Sequence, residues 1–271
     1  MQTYIITLIT VQAILLFGIT IILFVTFYKN ITLKKREESL LNTQLRQRDF
    51  IPVLVHELRA PLSVIQGASD LLLKDVKELT ADQIHTLLSQ IKTSSGSMLK
   101  MVGDILDVSK MDAGKFEVNR VYANINNVLN EECGYFQSLA KIKNIVLECN
   151  TDSSIPNSSF DPDRVKQVLS NLLSNALKYV PEKGKISVSS KKAGGFIQVE
   201  VADTGEGISD KDKTNLFHRF VQSQSHYHIK EKGTGLGLYI SKGIVEAHLG
   251  KIWVEDNNPI GSRFIFTLPL V

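Results

Sequence analysis

The spacing of apolar residues changes character along the chain. From Tyr4 to Tyr28 (YIITLITVQAILLFGITIILFVTFY) no residue is charged. As a helix rising about 1.5 Å per residue, this stretch reaches roughly 37 Å, enough to cross a bilayer with some tilt. Its terminal tyrosines suit the membrane interface. A cleaved leader has a basic start and a small-residue cleavage site, and MQT and LFVTFYKN supply neither. The pattern predicts a transmembrane helix over 4–28 with a short extracytoplasmic end, 1–3. Over 29–49 the chain turns polar, while Leu33, Leu40, Gln47 and Leu54 recur every seven residues. That suits a juxtamembrane helix running toward a dimer seam, and equally a solvated helical linker.

Helical spacing strengthens from residue 50, with Leu54, Leu58, Leu62, Ile65, Ala68 and Leu72. KELTADQIH breaks it and offers Thr80 or Asp82 as a new cap. A second helix follows, its stripe of Ile84, Leu88, Ile91, Ser95, Met98, Val102 and Ile105 alternating by four and three. Two helices alone bury little, so a hairpin over 50–111 predicts a second copy and a four-helix dimeric bundle.

After a linker, 112–121, the texture changes again. Residues 126–142 and DPDRVKQVLSNLLSNALKYV read as amphipathic helices, the second with Asp161 or Asp163 near its start. NIVLEC, GKISVSS, FIQVEVAD, GKIWVED and SRFIFTLPL read as strands, and GLGLYISKGIVEAH as a third helix. Residues 122–271 are thus expected to form an α+β domain, with helices on one face of a mixed sheet.

Composition adds limits. A hydrophobic share of 43% supports a packed core, and a net charge of +3 gives no case for nucleic acid. Lys29, Lys34, Lys35 and Arg36 follow the apolar span, which keeps the bulk of the chain cytoplasmic. The cell membrane is the expected location, with one pass. Cys133 and Cys149 fit no zinc or CxxC spacing and read as ordinary thiols of a reducing compartment.

Chemistry enters with two glycine runs, DTGEGI at 203–208 and GTGLGL at 233–238. The first follows a strand and the second opens a helix. Backbone amides at such a helix start hold phosphate oxygens. Neither run has the spacing of a Rossmann turn, and no Walker A loop is present. Asn171, Asn175 and Lys178 share one face of the preceding helix. A carboxamide oxygen is a suitable hard ligand for Mg²⁺, and a lysine can face a triphosphate.

In this order, NLLSNALKY, DTGEGI, LFHRF and GTGLGL resemble the N, G1, F and G2 boxes of the Bergerat ATP-binding fold. HELRAPL resembles the H box of membrane sensor histidine kinases of two-component systems. The resemblance covers roughly 50–271. It implies a dimerisation and phosphotransfer hairpin followed by an α/β-sandwich catalytic domain that uses ATP and Mg²⁺. Carried over by position, it makes Asn175 the Mg²⁺ ligand, with Asn171 nearby and Lys178 on the phosphates. Tyr179 walls the nucleotide pocket, and Asp203 accepts a hydrogen bond from the adenine amino group. Gly205 and Gly207 shape the pocket. Phe217 and Phe220 anchor a mobile lid, 218–232. Gly233, Thr234, Gly235, Leu236 and Gly237 close on the phosphates.

Within that frame His56 is the expected phosphoacceptor. A neutral imidazole has a free nucleophilic nitrogen, and Glu57 can orient the ring or take its proton. Without an ATP site downstream, a helix histidine satisfied by a neighbour would be the simpler reading; His85, His218 and His248 keep it. HYH at 226–228 reads as lid surface.

Three features depart from the family pattern. Where many relatives have Thr or Asn four residues after the histidine, to position a water for phosphatase chemistry, this chain has Ala60. Weak phosphatase activity is expected. Pro52 predicts a kink near Arg48, and Pro61 a second one after the histidine. Gln12 lies within the apolar span and is expected to face another helix, in its dimer mate or in a membrane sensory partner. The expected protein is a homodimeric kinase that phosphorylates His56 and passes the group to a cytoplasmic response regulator. No receiver domain is expected after Val271. The rival expectations are another Bergerat ATPase and a pseudokinase scaffold.

Overall fold

The computed structural model describes residues 27–29, 33–34, 52, 54–74, 77–221 and 234–271. It divides into two units, Met1–His56 and Glu57–Val271. In the first unit, 27–29, 33–34 and 54–56 are helical. Most of the expected span, 4–26, and the expected kink at Arg48 lie outside the described residues, as does Gln12. Among the described residues no helix is long and apolar enough to cross a membrane.

The second unit opens with helix α1 over 57–74. Residues 57–60 and 62–74 are helical on either side of Pro61, so the proline expected to kink the chain sits inside a helix. Helix α2, Ala81–Asp112, starts at a capping box: the Thr80 side chain accepts from the Gln83 N–H, and Gln83 Oε1 accepts from the Thr80 N–H at 2.8 Å. Of the two expected caps, Thr80 serves. The apolar stripe of α2 stays half-exposed, with Leu88 53% and Val102 46% accessible. The buried side of α2 is another one, carrying Met101, Asp104, Asp107 and Val108.

The α+β domain follows. Strand β1, Val121–Ala123, pairs antiparallel with β3, Ser158–Phe160. The main sheet contains β2 (Val146–Asn150), β4 (Lys185–Ala193), β5 (Phe196–Asp203), β6 (Ile252–Asp256) and β7 (Ser262–Pro269). Its order is β2-β4-β5-β7-β6. Only β2 and β4 run parallel; the other pairs are antiparallel. Helices α3 (Ile125–Ile142), α4 (Pro162–Tyr179) and α6 (Gly237–Ala247) pack on the sheet, and α5 is the short turn Asp210–Lys213.

Alternation in the strands explains the core. In β4, Ile186 and Val188 are fully buried, as are Ile197 and Val199 in β5, while their neighbours are half-exposed. They meet Leu129 of α3, Leu169 and Leu172 of α4, and Ile240 and Ile244 of α6, all 0% exposed. Helix α4 is set by Asp161, whose Oδ1 accepts from the Arg164 N–H at 3.1 Å, with Pro162 in the first turn. The Asp161 N–H donates to Nε2 of buried His248 at 2.9 Å, and His248 Nδ1 reaches the Ile244 carbonyl at 2.8 Å. Burial lowers the pKa of this imidazole. His248 therefore ties the end of α6 to the start of α4, the structural role expected of it.

Candidate functional site

A cavity of about 320 Å³ opens between α4, the end of β5 and the start of α6. The core face of α4 holds its leucines, which turns Asn171, Asn175, Lys178 and Tyr179 toward the cavity. Asp203, the last residue of β5, and Gly205 and Gly207 of the following turn form another wall. Thr234, Gly235 and Gly237 form a third.

The two asparagines differ in what they do. Asn171 is 6% exposed, and its Nδ2 donates to the Gly237 carbonyl at 3.1 Å and to Ser241 Oγ at 3.4 Å. It is a bracket between α4 and α6. Asn175, one turn later, is half-buried. Among the described residues its carboxamide has no protein partner, so a hard oxygen faces the cavity and fits Mg²⁺ with several retained waters. Lys178 lies beside it, its Nζ 5.3 Å from the Tyr179 ring centre. Burial raises the pKa of the Tyr179 phenol.

Asp203 is 6% exposed and held rigidly. Its Oδ1 accepts from the Gly205 N–H at 2.8 Å and the Ser262 N–H at 3.3 Å, and its carbonyl accepts from Asn257 Nδ2 at 2.8 Å. Burial pushes its carboxyl pKa up, and the two N–H donors oppose that. One carboxylate oxygen is thus fixed by backbone, which aims the other. Gly205 is required by close approach: a Cβ there would lie 2.9 Å from Asp203 Oδ1 and 3.0 Å from the Tyr179 carbonyl. Gly235 has φ +69°, and its carbonyl accepts from the Phe220 N–H at 3.0 Å. This clasp joins the two ends of the undescribed stretch 222–233, where Gly233, His226 and His228 fall.

Five of the expected site residues do not line this cavity. The Leu236 side chain is 1% exposed in the core and does not line the cavity. Its backbone N–H faces Thr234 Oγ1 at 3.3 Å. Phe217 lines a different cavity, with Met111, Phe116 and Tyr239 among its neighbours. Phe220 acts through its backbone clasp. His56, exposed, belongs to the other unit, and half-buried Glu57 is not part of the cavity wall.

Sequence reasoning missed one wall entirely. Ser97, Lys100, Met101 and Asp104 of α2 line the same cavity. Asp104 is 7% exposed, and burial, partly opposed by Lys100, pushes its pKa up to about 6. Below it, Asp107 accepts two hydrogen bonds from Arg164, at 2.6 and 3.0 Å, and a third from Gln167 at 3.1 Å. Farther along, Asp112 pairs with Arg219 and accepts from the Tyr239 hydroxyl. The signal was present as acids at 104 and 107, three apart beside Met101 and Val108, on a face other than the apolar stripe.

Two family models match the chain. Residues 46–114 match the His Kinase A (phospho-acceptor) domain, and 160–271 the histidine kinase-, DNA gyrase B-, and HSP90-like ATPase family. The hybrid signal transduction histidine kinase D of Dictyostelium discoideum is 32% identical over 89% of this chain and 16% of its own. The chain spans only 16–20% of the length of three such curated relatives. Among solved structures, the catalytic domain of histidine kinase ThkA is 33% identical, with a TM-score of 0.50, over 56% of this chain and 98% of that one. ThkA in complex with response regulator protein TrrA matches 82% of this chain and 61% of that one, with 26% identity and a TM-score of 0.57.

Proposed function

Because this chain belongs to the histidine kinases, we propose that it autophosphorylates His56 from ATP and hands the group to an aspartate of a response regulator. The observation that carries this reading is the cavity itself, which gathers Asn175, Asp203 and the glycine turns on one rim.

ATP enters as substrate. Asp203 accepts from the adenine amino group, a choice that favours adenine because guanine presents a carbonyl there. Tyr179 gives the base a flat wall. Lys178 and the backbone N–H groups at the start of α6 face the phosphates, where the helix terminus favours negative charge. Asn175 holds Mg²⁺, which offsets phosphate charge when bound. The imidazole nitrogen of His56 attacks the γ-phosphorus; the N–P bond forms as the bond to the bridging oxygen of ADP breaks. The ring proton passes to Glu57. The regulator's aspartate then takes the phosphoryl group from the ring. ThkA, solved with a response regulator, is the comparison that supports this partner.

The finer reading has three parts. The chain is anchored by one membrane helix over 4–28, supported by its lack of charge and the basic residues after it. It is a homodimer, supported by the half-exposed stripe of α2. Its phosphatase activity is weak, because Ala60 has no hydroxyl or amide to position a water.

Incubation with γ-labelled ATP tests the central claim. Acid-labile label is expected in the wild type and none in His56→Gln; label retained by the variant would remove His56 as acceptor. Ala60→Thr is expected to speed dephosphorylation of phospho-regulator while leaving autophosphorylation intact, and an unchanged rate would count against the role given to Ala60.

A further inference from the structure

Cys133 and Cys149 are both free thiols, and neither lines the ATP cavity. Helix α3 packs over β2, an edge strand of the main sheet. On β2, Leu147 and Cys149 are two residues apart and share the face turned to α3. On α3, Cys133 sits one turn after Leu129, on the buried side. The Cys149 sulfur lies 3.9 Å from the Leu129 carbonyl oxygen and 3.6 Å from Asn130 Oδ1. In a helix that carbonyl accepts from the Cys133 N–H. The Cys149 sulfur therefore rests against the very turn that carries Cys133.

We propose that Cys149 and Cys133 form a peroxide-reactive dithiol that closes reversibly into an intramolecular disulfide between α3 and β2. The roles are unequal. Cys149 is half-exposed at the sheet edge, whereas Cys133 is 5% exposed. The neighbouring Cys133 thiol lowers the pKa of Cys149, against some opposing burial. The proximity of Cys149, together with burial and the neighbouring Glu132, pushes Cys133 up. Cys149 thus deprotonates first, and solvent reaches it first.

The chemistry balances with a hydroperoxide as oxidant. The Cys149 thiolate attacks one peroxide oxygen, the O–O bond breaks, and the departing oxygen takes a proton to leave as water or an alcohol. Cys149 is now a sulfenic acid. The Cys133 sulfur attacks the Cys149 sulfur, the S–O bond breaks, and hydroxide leaves with the Cys133 proton as water. The two thiols have supplied two electrons to the peroxide. A thiol reductant reverses the product. The staple joins an edge strand that has one neighbour, β4, to the helix covering it.

The test uses the reduced full chain exposed to hydrogen peroxide, with peptide mapping under non-reducing conditions. Wild type is expected to lose the mass of two hydrogens, to yield a Cys133–Cys149 peptide pair, and to regain both thiols with dithiothreitol. Cys133→Ser is expected to stop at a dimedone-trapped sulfenic acid on Cys149. Cys149→Ser is expected to leave Cys133 alkylatable. Because the cross-link restricts the unfolded chain, the oxidised wild type should also melt at a higher temperature until reduced. Two free thiols after peroxide, over-oxidation of Cys149 with Cys133 still free, or a link between chains would each overturn the proposal, and the wild-type map decides without any variant.

Discussion

The α+β domain and the helical hairpin solve burial in opposite ways. In the domain, Phe160, Leu169, Leu172 and Phe266 are all at or below 1% exposure, because a sheet and three helices close around them. In the hairpin, Leu88 and Val102 remain about half-exposed, although they lie on the most regular apolar stripe in the chain. Regular spacing thus marks a face that wants a partner, and it does not say whether that partner is in the same chain. Among the described residues of α2, the buried ones lie on its polar-spiced face, which Asp107 and Asp112 link to Arg164 and Arg219. The domain's core is built from apolar area. The hairpin's hold on the domain adds charge pairs to buried Met101 and Val108, and that charged part responds to pH and salt.

The comparison is tested most severely in the domain core. Leu169→Ala should cost about 2–5 kcal/mol, since the cavity cannot collapse inside a closed layer. Urea unfolding followed by circular dichroism reads it, and a loss below about 1 kcal/mol would mean the core repacks more freely than its burial suggests.

A smaller effect is expected where α2 meets the cavity. Asp104 has a folded pKa of about 6, above the ordinary 3.8. The folded state therefore binds this proton more tightly than the unfolded one. Its penalty is full above pH 6, shrinks as pH falls through 6, and is gone near the unfolded value. Protection of α2 amides from hydrogen exchange should thus be greater at pH 5 than at pH 7.5, by at most about 1.4 kcal/mol. Asp104→Asn should raise protection at pH 7.5 and flatten this dependence; an equal slope in the variant would assign it to other groups.

The smallest effect on the single chain is expected on the stripe. Leu88→Ala should change monomer stability by about 0.5 kcal/mol or less. It should weaken self-association by about tenfold or more, measured by sedimentation equilibrium, if the stripe is a dimer seam. Unchanged association would leave the stripe without its partner.

These regions also differ in how far the sequence reveals them. Strand β5 was legible to the residue as FIQVEVAD, because strict alternation is a local signal. The start of α4 was legible only as Asp161 or Asp163, and the structure selects Asp161, while Asp203 and its glycines were placed at a pocket by resemblance, on the motif DTGEGI. Strands β1 and β3 were not, since three residues carry no period. Leu236 and Phe217 came from resemblance alone, which aligns positions without saying which way a side chain turns. Asp104 escaped because its role depends on where α2 docks, and no spacing within a helix encodes that. By spacing alone Asn171 and Asn175 looked equivalent, and only the resemblance put the metal ligand at Asn175. Only the approach of Gly237 separates a bracket from an open ligand.

The clasp between Phe220 and Gly235 has a consequence for redesign. One hydrogen bond brings the described residues on either side of 222–233 together. The two flanks are therefore held to each other as well as to the domain. Segments of other lengths can be exchanged there, provided both ends keep their backbone pairing, while the frame of Asp203, Asn171 and Asn175 is built from elements that never pass through it.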